Sequence, residues 1–281
     1  MIEQFYDLRP EVLALDRKAL SLCREQFAHV EEIRDYNQLK MLRAFTDSGV
    51  EARHFWGSSG YGVWDDSRNK LEEVFARCMG AEAALVRPQF MSGTHTLTVA
   101  LFGLLRTGDT LLAATGRPYD TLEGVIGIGD AGKGCGTLRE FGVNYDECPL
   151  LPDFTPDYDL IAEKAKTATV VHIQRSRGYT QRNAFDLATI QKVADTARKA
   201  NPNAVIFVDN CYGEFTQTAE PVAFGADIMA GSFIRTPAAA SPLRAVTLRA
   251  VRILSKSAAT ASLRPASAGI WAARRTACGI P

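Results

Sequence analysis

The sequence lacks the features that would place it in a membrane, a secretory route or a nucleic-acid complex. Its 32 basic and 32 acidic side chains cancel among 281 residues, so no electrostatic attraction to nucleic acid or an anionic membrane is indicated. No apolar run is long enough to cross a bilayer, and the start, MIEQFYDLRP, lacks the basic and apolar regions of a signal peptide. With a hydrophobic fraction of 46%, these absences predict a cytoplasmic globular protein.

Cysteine pairing and metal-binding spacings are also missing. The six cysteines form no Cys-x-x-Cys pair and show no metal-type spacing with the four histidines. The sequence therefore predicts no metal site, and the cysteines are expected to be buried thiols.

Acidic residues are absent from residues 235–281, which contain seven arginines, one lysine and 13 alanines. Residues 1–234 hold the other 24 basic side chains and all 32 acidic ones, a net charge of −8. This abrupt change in composition sets residues 235–281 apart, and we expect them to form a poorly ordered tail.

Apolar strands and helical patterns alternate through the middle of the chain. Strands are predicted at residues 83–86, 110–114, 143–148, 168–173 and 204–208, and helices at residues 66–79, 93–105, 121–126, 158–166 and 187–200. Such units favour an α/β fold with a mostly parallel sheet covered by helices. A helical arm over residues 1–60, helical through residues 10–47, precedes this large domain at residues 61–234.

Asp209 is the residue around which the site is predicted. Five apolar residues precede it, so its carboxylate ends a buried strand, where open α/β sheets bind ligands. A carboxylate in such a place is costly unless a positive group meets it. The alternative is that Asp209 caps a loop.

A second candidate lies at Ser92, Gly93 and Thr94, which follow a strand and open an apolar helix. The unpaired N–H groups of a helix start, with two hydroxyls beside them, can form a cup for a phosphate group. The same residues also fit a plain N-cap by Ser92.

Aromatic and basic residues follow two further strands. Tyr119 is placed to stack on a flat ligand, although it also fits a core position. Arg175 and Arg177 follow the strand at residues 168–173, where two arginines suit a carboxylate or a phosphate, or simply a solvated turn.

Residues 127–134, GIGDAGKG, contain G-x-G-x-x-G and nearly complete a Walker A motif. Gly134 stands where Walker A requires serine or threonine. Both motifs need a strand before them and a helix after them, whereas a helix is predicted before this segment and its glycines oppose one after it. A flexible loop is favoured, and nucleotide binding through it stays as an alternative function.

A phosphate cup, a stacking ring and a buried aspartate at successive strand ends are the parts that pyridoxal 5'-phosphate (PLP) requires. The aspartate keeps the pyridine nitrogen protonated, which makes the ring an electron sink. The missing part is a lysine for the Schiff base.

Residues from about 55 to 234 closely resemble the PLP-dependent methionine gamma-lyase family, also known as aluminium resistance proteins. The resemblance is carried by GYGVWDDSRNKLEEVFARCMGAEAALVRPQFMSGTHTLTVALFGLLRTGD, RPYDTLEGVIGI, HIQRSRGY, and IFVDNCYGEF through GADIMAGSFI. It implies the three-layer α/β/α fold of aspartate aminotransferase-like proteins (fold type I), related to the cystathionine-type carbon–sulfur lyases. The usual C-terminal small domain is expected to be missing here.

The resemblance also implies roles for individual residues. Asp209 is the expected partner of the ring nitrogen, and Tyr119 the stacking residue. The phosphate is assigned to Ser92, Gly93, Thr94 and Ser232, and the amino-acid substrate to Arg175, Tyr179 and Tyr61. Intact relatives are expected to be homo-oligomers.

The resemblance breaks at Arg235. In the family the corresponding segment runs approximately Ile-Lys-Asn-Pro-Gly-Gly-Gly-Ile, and its lysine holds PLP. Arginine stays protonated and cannot take that role. The chain reads Arg-Thr-Pro-Ala-Ala-Ala-Ser from Arg235, which is what AAG-AAC-CCC-GGC-GGC-GGC-ATC encodes after loss of one A. We therefore hypothesise a reading-frame shift at codon 235.

A rival lysine, Lys256, lies in Leu-Ser-Lys-Ser, which is similar to the Ser-x-Lys of aminotransferases. It follows Asp209 by 47 residues, whereas Arg235 follows it by 26, and the family resemblance ends at Ile234. These spacings favour position 235 as the place of the expected lysine.

The sequence thus predicts a relative of PLP-dependent carbon–sulfur lyases that act on a sulfur-containing amino acid. Without the lysine, this copy is expected to bind PLP weakly and non-covalently at most, and to have little lyase activity. A truncated, non-catalytic pseudoenzyme or binding protein is the alternative, with nucleotide binding through residues 127–134 as a third hypothesis.

Overall fold

A computed structural model describes residues 4–57, 65–87, 89–232 and 251–254. Its helices are α1 (Pro10–Leu22), α2 (Arg24–Asp47), α3 (Asp66–Met79), α4 (Gly93–Leu104), α5 (Asp120–Ile126), α6 (Tyr158–Ala165) and α7 (Leu187–Ala200). Its strands are β1 (Ala83–Val86), β2 (Thr110–Ala113), β3 (Asn144–Glu147), β4 (Val170–Gln174), β5 (Val205–Asp209), β6 (Ile228–Gly231) and β7 (Val251–Leu254).

The strands and helices predicted between residues 66 and 209 are confirmed, with ends that differ by at most two residues. Apolar runs mark the buried strands, and Gly80, in the left-handed conformation at φ 69°, ends α3 as expected of a glycine C-cap. The helices predicted over residues 10–47 are confirmed as α1 and α2, which meet at Cys23. No glycine or proline in the sequence around Cys23 explains the break between them.

The strands form one sheet in the order β1-β7-β6-β5-β4-β2-β3. Neighbouring strands from β6 through β3 are parallel, whereas β7 is antiparallel to both β1 and β6. The carboxyl ends of β2, β4, β5 and β6 therefore meet at one edge. This edge is where ligands bind in open α/β sheets.

Helices cover both faces of the sheet, which gives three layers. One face carries α3, α6 and α7, whose apolar side chains pack against alternate strand residues such as Val171, Ile206 and Val208. The other face carries α4 and α5, which pack against the intervening residues, among them Val170 and Phe207. The predicted three-layer, mostly parallel α/β fold is confirmed.

The N-terminal arm joins the large domain through the second of its helices. No side chain of α1 is buried, whereas α2 buries Asn37 and Ala44. The Asn37 amide donates hydrogen bonds to the carbonyl oxygens of Phe215 and Gln217 at 3.1 and 3.0 Å. Among the helices described above, none is long and apolar enough to span a membrane.

The strand β7 lies within residues 235–281, where the sequence predicts a poorly ordered tail. Its backbone pairs with β1 and β6 through residues 251–254. The rest of this segment lies outside the described residues, so poor order there stays a prediction.

Candidate functional site

A cavity of about 470 Å³ opens at the carboxyl edge of the sheet. It gathers residues from the ends of β5 and β6, from the start of α4 and from the segments after β2 and β4. The structure brings seven of the predicted site residues to its wall: Ser92, Gly93, Thr94, Tyr119, Tyr179, Asp209 and Ser232. Residues separated by up to 140 positions therefore share one site.

Asp209 ends β5 and supplies a buried carboxylate to the cavity wall. Its side chain is 4% exposed, and Oδ1 accepts a hydrogen bond from the Cys211 N–H at 3.0 Å. No basic side chain in the described part of the chain bonds to this carboxylate. Burial raises the pKa of the Asp209 carboxyl above its usual range because the charged form is poorly solvated. A ligand that brings a cationic N–H to this wall would offset that cost.

The start of α4 has a capping residue, Ser92, and backbone N–H groups that a ligand could bind. The Ser92 hydroxyl accepts a hydrogen bond from the His95 N–H at 3.1 Å, and the Ser92 carbonyl accepts one from the Thr96 N–H. The N–H groups of Gly93 and Thr94 bond to no described residue, as the first turn of a helix leaves them unpaired. The N-cap and the phosphate cup, which the sequence left as alternatives, are therefore compatible.

Gly93 is closely packed at this cup. A Cβ atom there would lie 3.1 Å from Cys211 Sγ and 3.4 Å from Ser232 Cβ. The loop after β5 and the end of β6 thus close directly over the first turn of α4. Cys211 lines the cavity too, a position that the sequence reasoning missed although it is two residues from Asp209.

The two tyrosines of the cavity form a pair. The rings of Tyr119 and Tyr179 lie 5.4 Å apart at an interplanar angle of 34°, and their hydroxyl oxygens are 3.2 Å apart. The Tyr119 N–H donates to Gln174 Oε1 at 2.7 Å, which ties this residue to the end of β4. Tyr179 is 82% exposed, so it lies at the cavity mouth.

Arg175, assigned to the substrate from the sequence, does not line the cavity. Its guanidinium is buried and donates to Asn210 Oδ1 at 2.7 Å, the Gly213 carbonyl at 2.9 Å and Gln217 Oε1 at 2.8 Å. Arg175 therefore fixes the loop that follows β5. The arginine on the cavity wall is Arg177.

Glu214 fixes the backbone of Ser232, one of the residues assigned to the phosphate. Its Oε1 accepts the Ser232 N–H at 2.8 Å, and the side chain is 4% exposed. Burial raises the pKa of Glu214 to about 7. The sequence gave no signal for this residue, because its role depends on the approach of β6 to a loop 18 positions earlier.

The glycine-rich segment at residues 127–134 lies outside this cavity. It follows α5, as predicted, and its last N–H group bonds to a side chain of the protein. The Glu140 carboxylate accepts hydrogen bonds from the N–H groups of Gly134 at 2.6 Å, Gly136 at 2.8 Å and Thr137 at 2.9 Å. The Glu140 carboxylate thus satisfies the N–H group of the residue that follows Lys133 in the near-Walker A sequence.

Two of the predicted site residues, Tyr61 and Arg235, lie outside the described residues, as does the rival Lys256. Among the residues that are described, no lysine lines the cavity.

Comparison with known proteins identifies the family. A sequence model of methionine gamma-lyase matches residues 12–243, which is most of the chain. The chain belongs to the methionine gamma-lyase family. The PLP-dependent transferase-like fold expected from the resemblance is confirmed by the structures it matches.

Three relatives show what share of their own length this chain covers. The uncharacterized protein YnbB of Bacillus subtilis is 44% identical over 209 residues, which are 74% of this chain and 49% of YnbB. A carbon–sulfur lyase involved in aluminium resistance from Clostridium novyi is 40% identical, with a TM-score of 0.82, over 89% of this chain and 58% of that protein. A proposed cystathionine beta-lyase involved in aluminium resistance from Clostridium acetobutylicum is also 40% identical, with a TM-score of 0.83, over 90% and 59%. The chain thus spans about half to three-fifths of these relatives.

Proposed function

We propose that the cavity binds PLP and that the chain derives from a PLP-dependent carbon–sulfur lyase acting on a sulfur-containing amino acid. The observation that carries this proposal is Asp209, a buried carboxylate on the cavity wall with no basic partner among the described residues. A pyridine nitrogen that is protonated supplies the missing cation, and the carboxylate in turn keeps it protonated.

The remaining wall residues fit the other parts of the cofactor. The unpaired N–H groups of Gly93 and Thr94, with the hydroxyls of Ser92 and Ser232, are suited to the phosphate. The Tyr119 ring is suited to the face of the pyridine. When bound, PLP supplies an electron sink for charge that develops at the substrate Cα.

The protein has two tasks in such a reaction, which are to hold the cofactor and to transfer a proton. When PLP is bound, Asp209 would hold a proton on the ring nitrogen, and the rings of Tyr119 and Tyr179 form part of the cavity wall. Removal of a proton from a substrate needs a base, and a lysine that can lose its own proton suits that task. Arginine at position 235 remains protonated and does not serve. We therefore propose that this chain holds PLP weakly, without a covalent bond, and has little lyase activity.

The experiment compares two chains that differ at one residue. One base is inserted in codon 235 to restore the hypothesised reading frame and its lysine, and the second chain carries arginine at that position in the restored frame. Each is loaded with PLP, and release of thiol from sulfur-containing amino acids is measured. We expect turnover in the lysine chain alone. Inactivity of both would refute the proposed lyase activity, and equal activity of both would refute the role of the lysine.

A non-catalytic binding protein is the second candidate function. The absence of lysine from the described wall of the cavity favours it, as does Arg235. It predicts that the restored frame binds PLP no better than the present chain.

A further inference from the structure

Glu214 is a buried acid that bonds to one of the residues proposed to hold the phosphate of PLP. Its Oε1 accepts the Ser232 N–H at 2.8 Å, and Ser232 lines the cavity, whereas Glu214 does not. We propose that Glu214 is a positioning residue for the phosphate and that phosphate binding is coupled to uptake of a proton by the Glu214 carboxylate. This inference rests on the proposed function, and it adds the response of the same site to pH.

The Glu214 carboxylate lies directly against the end of β6. A Cβ atom at Gly231 would overlap Glu214 Oε1 and would lie 3.1 Å from its Cδ. Glycine at position 231 therefore leaves the room in which the carboxylate reaches the Ser232 N–H. The same contact fixes the Ser232 backbone, and with it the place from which the Ser232 hydroxyl extends.

A bound phosphate and a charged Glu214 would put two anions next to one serine. The Ser232 N–H is bonded to the carboxylate, so a phosphate would meet Ser232 through its hydroxyl. Glu214 is 4% exposed, and water therefore does little to screen its charge from a neighbouring anion. A protonated Glu214 can still accept the Ser232 N–H, and it does so without repelling the phosphate.

The charged groups around Glu214 leave it able to take up a proton near neutral pH. Burial, and then the charges of Glu220 in the same loop and Asp209 at the end of β5, raise the pKa of Glu214 to about 7. Arg175 interacts with Glu214 electrostatically and favours the charged form, but it lies 4.0 Å from Glu220 as well. Lys40 of α2 acts on Glu220. A further negative charge beside Glu214 is expected to raise its pKa again.

Proton uptake and phosphate binding then favour each other. Coupling between two binding events is reciprocal, so a phosphate that raises the pKa of Glu214 binds more tightly when Glu214 is already protonated. The affinity should therefore be highest below the pKa of Glu214 in the empty site and should fall as pH rises through it.

The test compares two ligands and three chains. PLP and pyridoxal share the ring and differ by the phosphate. Dissociation constants of both are measured by calorimetry at about pH 6, about pH 7 and about pH 8.5 for the full chain, Glu214→Gln and Glu163→Gln. Glu163 is the matched control, because it is exposed in α6 and outside the cavity wall. Ionisation of the ligand is the same for every chain, so a difference between chains reports the protein.

We expect the dissociation constant of PLP for the full chain, divided by that for Glu214→Gln, to rise about tenfold between about pH 6 and about pH 8.5. With pyridoxal this ratio should change by less than about twofold, because no phosphate charge acts on Glu214. Glu163→Gln should match the unaltered chain with both ligands. Circular dichroism checks that each variant is folded.

Proton uptake gives a second measurement that needs no variant. Calorimetry of the full chain at about pH 7.5, in two buffers that differ in heat of ionisation, should show about half a proton more taken up with PLP than with pyridoxal. Equal uptake with the two ligands would overturn the inference.

Two further results overturn it while leaving PLP binding intact. Equal pH dependence of PLP affinity in the full chain and in Glu214→Gln would show that Glu214 is not coupled to the site. An equally large change in the ratio with pyridoxal would assign the coupling to the ring or to the fold instead of the phosphate. If the full chain does not bind PLP at any of these pH values, the proposed function fails and the inference fails with it.

Discussion

Two places in this protein present several backbone N–H groups to one point, and they differ in what occupies that point. In the glycine-rich turn, the Glu140 carboxylate accepts hydrogen bonds from the N–H groups of Gly134, Gly136 and Thr137. At the start of α4, the N–H groups of Gly93 and Thr94 face a cavity and bond to no described residue. A side chain of the protein satisfies the three N–H groups at the first place, whereas the two at the second are left for a ligand.

The difference shows why donor groups alone do not make a binding site. The turn at residues 127–136 has the more suggestive sequence, with glycines at the spacing of nucleotide-binding motifs. Two of its donors, the N–H groups of Gly134 and Gly136, stabilise a local turn because an acidic side chain four to six positions away accepts both. The start of α4 has a plainer sequence, but the fold places it beside Asp209 and Ser232 at the edge of the sheet.

The largest effect that we expect comes from Asp209→Asn, which removes the charge and keeps the shape. PLP affinity should fall by about 10- to 100-fold, because a hydrogen bond between charged partners is lost. The melting temperature should rise, because the pKa of the buried carboxyl is raised and its charged form is costly. Absorbance titration and thermal unfolding measure the two changes. A parallel fall in affinity and stability would mean that Asp209 serves the fold rather than a ligand.

The pH dependence of stability should depend strongly on Glu214. Its pKa is about 7 in the folded chain, so the native state retains a proton that the unfolded state releases above its ordinary pKa. The free energy of unfolding should therefore fall as pH rises from about 5 to 7.

In Glu214→Gln this fall should be absent, while the Ser232 N–H keeps an acceptor. The free energies of unfolding of the two proteins should diverge by about 2–3 kcal/mol between pH 5 and pH 8, with the variant the more stable at pH 8. Urea unfolding across this range measures the difference. Parallel pH curves would contradict the assignment.

Gly93→Ala tests the packing over the open donors. The added Cβ would crowd Cys211 Sγ, and we expect a loss of about 1 kcal/mol in the free energy of unfolding together with weaker PLP binding. Adding Cys211→Ala should restore part of both losses. The control is Gly124→Ala in α5, where a Cβ meets nothing within 4 Å, so stability should rise slightly. If Gly93→Ala behaves like this control, residue 93 does not pack closely against Cys211 as the structure indicates.

The smallest effect on ligand binding should come from Glu140→Ala. Loss of the carboxylate that three N–H groups share should lower the melting temperature and leave PLP affinity unchanged. Thermal unfolding with and without ATP extends the test. Stabilisation of the unaltered chain by ATP would show that the turn binds nucleotide in spite of Glu140.

Local sequence was sufficient for much of the fold and part of the site. Apolar runs located the strands, and the apolar run before Asp209 correctly put its carboxylate at the end of a buried strand. Ser92 and Gly93 marked the start of α4 because their residue types satisfy the requirements of a helix N-terminus.

Long-range packing explains what the sequence could not supply. Arg175 and Arg177 are two positions apart in one turn. Hydrogen bonds to the loop at residues 210–217 give Arg175 a structural role, whereas the Arg177 guanidinium bonds to no residue that the structure describes. Glu214 and Cys211 have roles set by β6 and α4, which lie far along the chain. The strand β7 falls in a segment whose composition predicts poor order, and its pairing depends on β1 and β6.

The central claim is that the cavity beside Asp209 holds PLP without a covalent bond. The most direct measurement titrates the full chain and Asp209→Asn with PLP, removes excess PLP by gel filtration, reduces with borohydride and maps adducts by peptide mass. We predict absorbance-detected binding that is weakened in Asp209→Asn, and no adduct after reduction. Adduct formation at Lys256, or identical binding by both chains, would contradict the account.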